Sequence, residues 1–232
     1  MGADLYGPEY FSSYMPDSEA RTKRVAMYQH EYSRISAFVK GGNVLDIGCG
    51  VGDFLSGFDD KMWARYGIDV STYALQLATK KDVRTKLPDP ATNYFDLVVF
   101  RGTLQHLDEP LSMIKRSIAW LKPGGYMVFL ATPNIGSVCY RLFQELPMID
   151  PRLNYVLVSP KILTQILNNL GMEVLGFHFP YRSTPYARPL HDLACFVGRC
   201  FGIRRAFAFW GNVLECYARK PTNGERAGRL HV

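Results

Sequence analysis

Three glycines at alternate positions, Gly48, Gly50 and Gly52, follow directly on the apolar run Val44-Leu45-Asp46-Ile47. No other stretch narrows the choice of fold so far. The apolar run reads as a buried strand. Glycines at its exit allow a tight turn and let a ligand approach the backbone where a Cβ would block it. Phe54 and Leu55 then read as the start of a helix running to about Asp59. A strand, a glycine turn and a helix N-terminus together form the nucleotide corner of a doubly wound α/β sheet.

Two ligand classes compete for such a corner. A dinucleotide fingerprint carries glycine at its sixth position, where this chain has Asp53. Asp46, two residues before the first glycine, would repel a pyrophosphate at close range. It would suit a ligand with a cationic sulfonium and an ammonium, such as S-adenosylmethionine (SAM). The stretch from Asp46 to Gly52 resembles the D-x-G-x-G-x-G motif of class I SAM-dependent methyltransferases. The resemblance implies an α/β, Rossmann-like, doubly wound seven-stranded sheet, mostly parallel with the last strand antiparallel. An N-terminal helical lid and a C-terminal insertion would accompany it. Asp46, Gly48, Cys49 and Gly50 would then hold the cofactor.

Later segments agree in order and spacing. Tyr66 to Ser71 reads as a second strand with Asp69 at its end, 23 residues after Asp46, where a carboxylate can accept both ribose hydroxyls. Val70 follows it, and Ser71 is suited to cap the helix over 72–81. A third strand has little room, since only Lys81 to Lys86 precedes Leu87-Pro88. Asp82 and Val83 are the candidates there to cover adenine. Asn93 to Phe100 is a buried strand similar to the family's F-D-x-V-x strand. Arg101, Gly102 and Gln105 at its end would line the cofactor. His106 could take a proton from an acceptor hydroxyl, or bond the turn's backbone. A helix over Leu111 to Leu121 ends at Lys122-Pro123-Gly124-Gly125, a turn characteristic of the family, before a strand over Tyr126 to Ala131. Asn134 either binds acceptor oxygens or forms an ordinary turn.

Residues 1–40 read as a lid segment and helix, the helix running over 18–39, with Tyr14 a candidate to touch the cofactor. Residues 41–134 form the SAM-binding core and 135–220 the acceptor half. Segments such as Tyr140 to Phe143 and Pro180 to Tyr186 resemble bacterial methyltransferases that accompany surface-polysaccharide and sugar-modifying enzymes. Ser159 caps a helix to Asn169, and strands over 173–179 and 212–219 flank an insertion over 180–208. An insertion of that length usually carries function. Its Tyr181, Arg182, Tyr186 and Arg188 suit a sugar or nucleotide, and His191 is a second candidate base. Residues 221–232 read as a disordered tail.

Charge bears on the acceptor. Lys and Arg balance Asp and Glu over 1–134, 15 against 15, whereas 135–220 hold 10 against 5. The excess points to an anionic acceptor or surface on the C-terminal side. No dense Lys/Arg stripe marks a nucleic-acid binder. The five cysteines fit neither a disulfide framework nor a zinc site, and no metal-ligand cluster stands out. With no signal peptide or bilayer-length apolar run, the expectation is a cytoplasmic enzyme. It would use SAM for O-methylation of a small or glycan/nucleotide-sugar-like acceptor. An N- or C-methyltransferase, or a non-catalytic SAM-binding module, is the alternative.

Overall fold

The structure, a computed structural model, describes residues 7–14, 18–146, 149, 153–182, 184, 187–203, 205, 207–222 and 224–225. Helices α1 (Pro8–Tyr14) and α2 (Ser18–Ile35) lead into β1 (Gly42–Ile47) and β2 (Trp63–Ile68). Then come α3 (Thr72–Thr79), β3 (Phe95–Arg101), α4 (Pro110–Trp120) and β4 (Leu121–Pro133). The chain closes with α5 (Val138–Phe143), α6 (Pro160–Asn169), β5 (Glu173–His178), α7 (Pro189–Cys200) and β6 (Val213–Arg219).

One sheet runs in the order β2-β1-β3-β4-β6-β5. β2, β1, β3 and β4 pair in parallel, and β6 lies antiparallel between β4 and β5, one place in from the edge. Because helices cover both faces, the central strands are apolar at nearly every position, as buried parallel strands are. Side chains alternate across the sheet. Leu45, Ile47, Val98, Phe100, Met127 and Phe129 pack on the face covered by α4 and α6. Val44, Leu97, Val99, Val128 and Leu130 pack on the face covered by α2 and Phe54.

Four expectations need correction. The sheet has six strands among the described residues, not seven. The segment 81–86 supplies only a bridge between Tyr66 and Arg84, held by Arg84 N–H on the Arg65 carbonyl and Gly67 N–H on the Arg84 carbonyl. Asp82 is left-handed there (φ 59°), and Pro88 and Pro90 lack the N–H a ladder needs. The helix expected up to Asp59 is absent: turns lead into one short 3-10 turn, Leu55–Gly57. A Cβ on Gly57 would collide with the Tyr32 hydroxyl, and the same hydroxyl donates to the Phe54 carbonyl at 2.5 Å. That contact needs glycine, which weakens a helix. β4 also starts earlier than expected: the chain pairs from Leu121, and Lys122 to Gly125 form a bulge between the Phe95–Leu121 and Leu97–Tyr126 pairings. α2 ends at Ile35, four residues short of the expected helix.

Candidate functional site

The C-terminal ends of β1, β2 and β3 open into a cavity of about 920 Å³, where ligands lie in doubly wound sheets. Gly48, Cys49 and Gly50 form one wall, and α1 covers it through Pro8, Tyr10 and Phe11. Phe11 packs on Tyr73, ring centroids 6.3 Å apart. Gly50 is left-handed (φ 52°), and a Cβ on it would stand 3.3 Å from the Phe11 ring. The backbone thus reaches the cavity beneath an aromatic roof.

Asp69 ties two elements together. Its Oδ2 accepts the Gly50 N–H at 2.8 Å and its Oδ1 accepts the Ser71 N–H at 2.9 Å, while Ser71 Oγ caps α3 on the Ala74 N–H. Each carboxylate oxygen keeps a second lone pair, and Asp69 lines the cavity with Val70 beside it. A ligand diol can still be met there.

Asp46 projects to the α2 side of the sheet, lines the cavity and is 2% exposed. Its Oδ1 has no hydrogen-bond partner among the described residues. Burial holds this carboxyl well above the usual carboxylate range, Arg101 opposes that, and Asp69 and Glu31 reinforce it. Arg101 is itself committed: Nε donates to Glu31 Oε2 at 2.8 Å and Nη2 to Oε1 at 3.2 Å. Its guanidinium carbon sits 4.3 Å from the Tyr28 ring centroid. Burial raises the Glu31 carboxyl too, against the pull of Arg101. Glu31 and Asp46 thus share the field of one guanidinium, and Asp46, a cavity-lining residue, keeps one buried oxygen with no partner among the described residues. These residues fit a ligand that carries a sulfonium and an ammonium.

Asp53 is ion-paired with Lys81, whose Nζ also donates to the Val51 carbonyl at 2.9 Å. The charge of Asp53 is offset there, and Asp46 is the carboxylate that disfavours a pyrophosphate.

His106 lines the cavity from a 3-10 turn, Leu104–His106. Its Nδ1 lies 2.8 Å from the Leu153 carbonyl. A carbonyl only accepts, so Nδ1 carries the hydrogen and Nε2 keeps its lone pair. Gln105 does not line the cavity; its Nε2 donates to the Gly102 carbonyl at 3.0 Å and, in this tautomer, to the His106 Nε2 lone pair at 3.3 Å, a bond that an acceptor hydroxyl would replace. Gly102 itself lines the cavity.

Other sequence candidates lie elsewhere. Asp82 is an exposed turn residue, and Val83 is buried in the core under α2. The buried Asn134 uses its side chain on the backbone, donating to the Gly211 carbonyl at 2.7 Å and accepting the Gly136 N–H at 2.8 Å. Asp192, buried on α7, accepts the Tyr181 O–H and the Arg188 N–H. His191, 3.4 Å from Asp192, is exposed on the same helix. None of Asn134, Tyr181, Arg182, Arg188 or His191 lines the cavity. Tyr186 and the Tyr14 side chain fall outside the described residues. Tyr73 and Leu77, four residues apart on one face of α3, and Lys81, just past the end of that helix, also line the cavity; their spacing is the signal that marks them in the sequence.

Comparison with known proteins places these features in context. The profile of a methyltransferase domain family matches residues 20–176. Phosphoethanolamine N-methyltransferase 1 of Zea mays is 33% identical over 152 residues, covering 57% of this chain and 28% of that protein. A ubiquinone biosynthesis O-methyltransferase of Paracidovorax citrulli is 29% identical over 119 residues, covering 45% of this chain and 49% of that one. This chain therefore spans less than half the length of either relative. In fold it is similar to magnesium protoporphyrin IX methyltransferase of Synechocystis, solved with S-adenosylhomocysteine (TM-score 0.62, 15% identity, 94% of this chain and 97% of that one covered).

Proposed function

Because this chain belongs to the methyltransferase domain family, we propose that it is a SAM-dependent methyltransferase that methylates an oxygen of a small acceptor with His106 as base. The observation that carries the assignment is the Nδ1 contact to the Leu153 carbonyl, which leaves Nε2 as the acceptor atom on a ring that lines the cavity. When bound, SAM supplies a methyl group activated by its sulfonium. Asp46 would face the cofactor's cationic end, Asp69 its ribose hydroxyls, and the backbone of Gly48 to Gly50 its flank. Tyr10 and Phe11 would exclude water from above. His106 Nε2 would accept the hydroxyl proton as the new C–O bond forms.

The lining supports an acceptor with a substantial apolar part. Tyr10, Phe11, Tyr28, Leu107 and Met113 surround the space, while the lining cations Arg101 and Lys81 are paired with Glu31 and Asp53. A glycan-linked or anionic acceptor draws less support, since Tyr181, Arg182 and Arg188 stand away from the cavity. The two relatives are named for nitrogen and for oxygen methylation respectively, and a panel of both acceptor types separates the two.

Purified protein with SAM and a panel of phenolic, aliphatic and amine acceptors, read by mass spectrometry, tests the reading. His106→Ala should cut kcat by about 10²–10⁴-fold with SAM affinity unchanged. Full turnover of that variant would end the base role. Methylation confined to amines would replace oxygen by nitrogen.

A further inference from the structure

Helix α7 presents its apolar side to solvent. Leu190, Leu193, Ala194 and Val197 fall on one face at helical spacing, and Phe201 continues it just past the helix end. All five are exposed, Leu190 at 86% and Phe201 at 81%. The opposite side of the helix packs on the protein and carries Asp192, Cys195, Phe196 and Arg199. There Asp192 bonds Tyr181 and Arg188, Phe196 stacks on Phe209 at 4.7 Å, and Arg199 pairs with Glu145. An ordinary surface helix buries its apolar residues on one face, whereas α7 carries a second apolar face on the solvent side. The stripe runs about 16 Å at 1.5 Å per residue, and Ile203 beyond it is also exposed.

Charge decides which partner fits. Residues 180–210 contain five arginines and one acid, the buried Asp192. Arg188 at one end of the stripe and Arg205 at the other are exposed. A second copy laid antiparallel on this face would bring arginines against arginines at both ends, which disfavours self-association. Phe and Leu flanked by arginine suit the boundary between acyl chains and anionic headgroups. No helix among the described residues is long and apolar enough to cross a membrane, so contact would be at the surface. We infer that the outer face of α7 docks this enzyme on an anionic lipid bilayer.

Flotation of the full chain with vesicles tests the inference. Wild type should bind vesicles of phosphatidylcholine with about 30% phosphatidylglycerol, and bind pure phosphatidylcholine at least about tenfold more weakly. Leu190→Ser with Phe201→Ser, and separately Arg188→Glu with Arg205→Glu, should each lose about tenfold or more of that binding. Thermal unfolding and SAM affinity of both variants should match wild type, since these residues lie outside the cavity. Absence of wild-type flotation, or undiminished flotation of the serine variant, would overturn the proposal. So would equal binding to neutral vesicles, or a dimer in light scattering that the serine variant dissolves.

Discussion

Asp69 Oδ2 accepts the backbone N–H of Gly50 at 2.8 Å, so the end of β2 holds the glycine turn that leaves β1. One carboxylate thereby shapes the turn and borders the cavity. Asp69→Ala removes both functions. SAM affinity should fall by about tenfold or more, with about 1.5–3 kcal/mol of stability lost, the range for hydrogen bonds to a charged group. Calorimetric titration and chemical unfolding measure the two, and unchanged affinity would remove Asp69 from the cofactor site.

Asp46 carries a pH signature. Burial raises its folded-state carboxyl above its unfolded value near 4. Between the two values the folded chain holds a proton that the unfolded chain has released, so its contribution to stability falls as pH rises through that window. Asp46→Asn abolishes that slope. Without ligand the variant should be more stable than wild type at neutral pH, yet bind SAM at least about tenfold more weakly. Melting temperatures across about pH 5–8 decide it; parallel curves for the two proteins would refute it.

Arg101 and Glu31 form a pair with side chains 7% and 2% exposed. Removing one partner strands the other charge without water. Arg101→Met alone should cost about 3–5 kcal/mol, whereas Arg101→Met with Glu31→Gln should cost clearly less than the two single changes added. A double-mutant cycle in urea reads the coupling; additive losses would show that the pair is not a unit.

Asn134 distinguishes a backbone clip from an acceptor contact. Its amide joins the end of β4 to Gly211 and Gly136, so Asn134→Ala should lower stability by about 1–3 kcal/mol and leave the acceptor KM in place. A tenfold rise in KM with an unchanged melting temperature would reverse that assignment.

Legibility in the sequence follows the range of the interactions. The strands at Val44 to Ile47, Phe95 to Phe100 and Met127 to Leu130 could be read because burial on both faces demands consecutive apolar residues, whatever packs against them. The glycine turn and Asp69 could be read because backbone conformation and strand-end position are local matters. The missing helix after Gly52 could not: Gly57 looks like a tolerable helix residue until Tyr32, from α2, occupies the space of its Cβ.

The same division runs through the site. By itself the sequence determined the sheet's central strands, the glycine corner and the two carboxylates that border it, because each depends on neighbours within a few residues. Only the tertiary structure decided that Lys81 offsets Asp53, that Arg101 is spent on Glu31, and that Leu153 sets the tautomer of His106. Those partners lie 28, 70 and 47 residues apart. Pairing across such distances leaves no periodicity in the chain, since it arises from where folded elements meet.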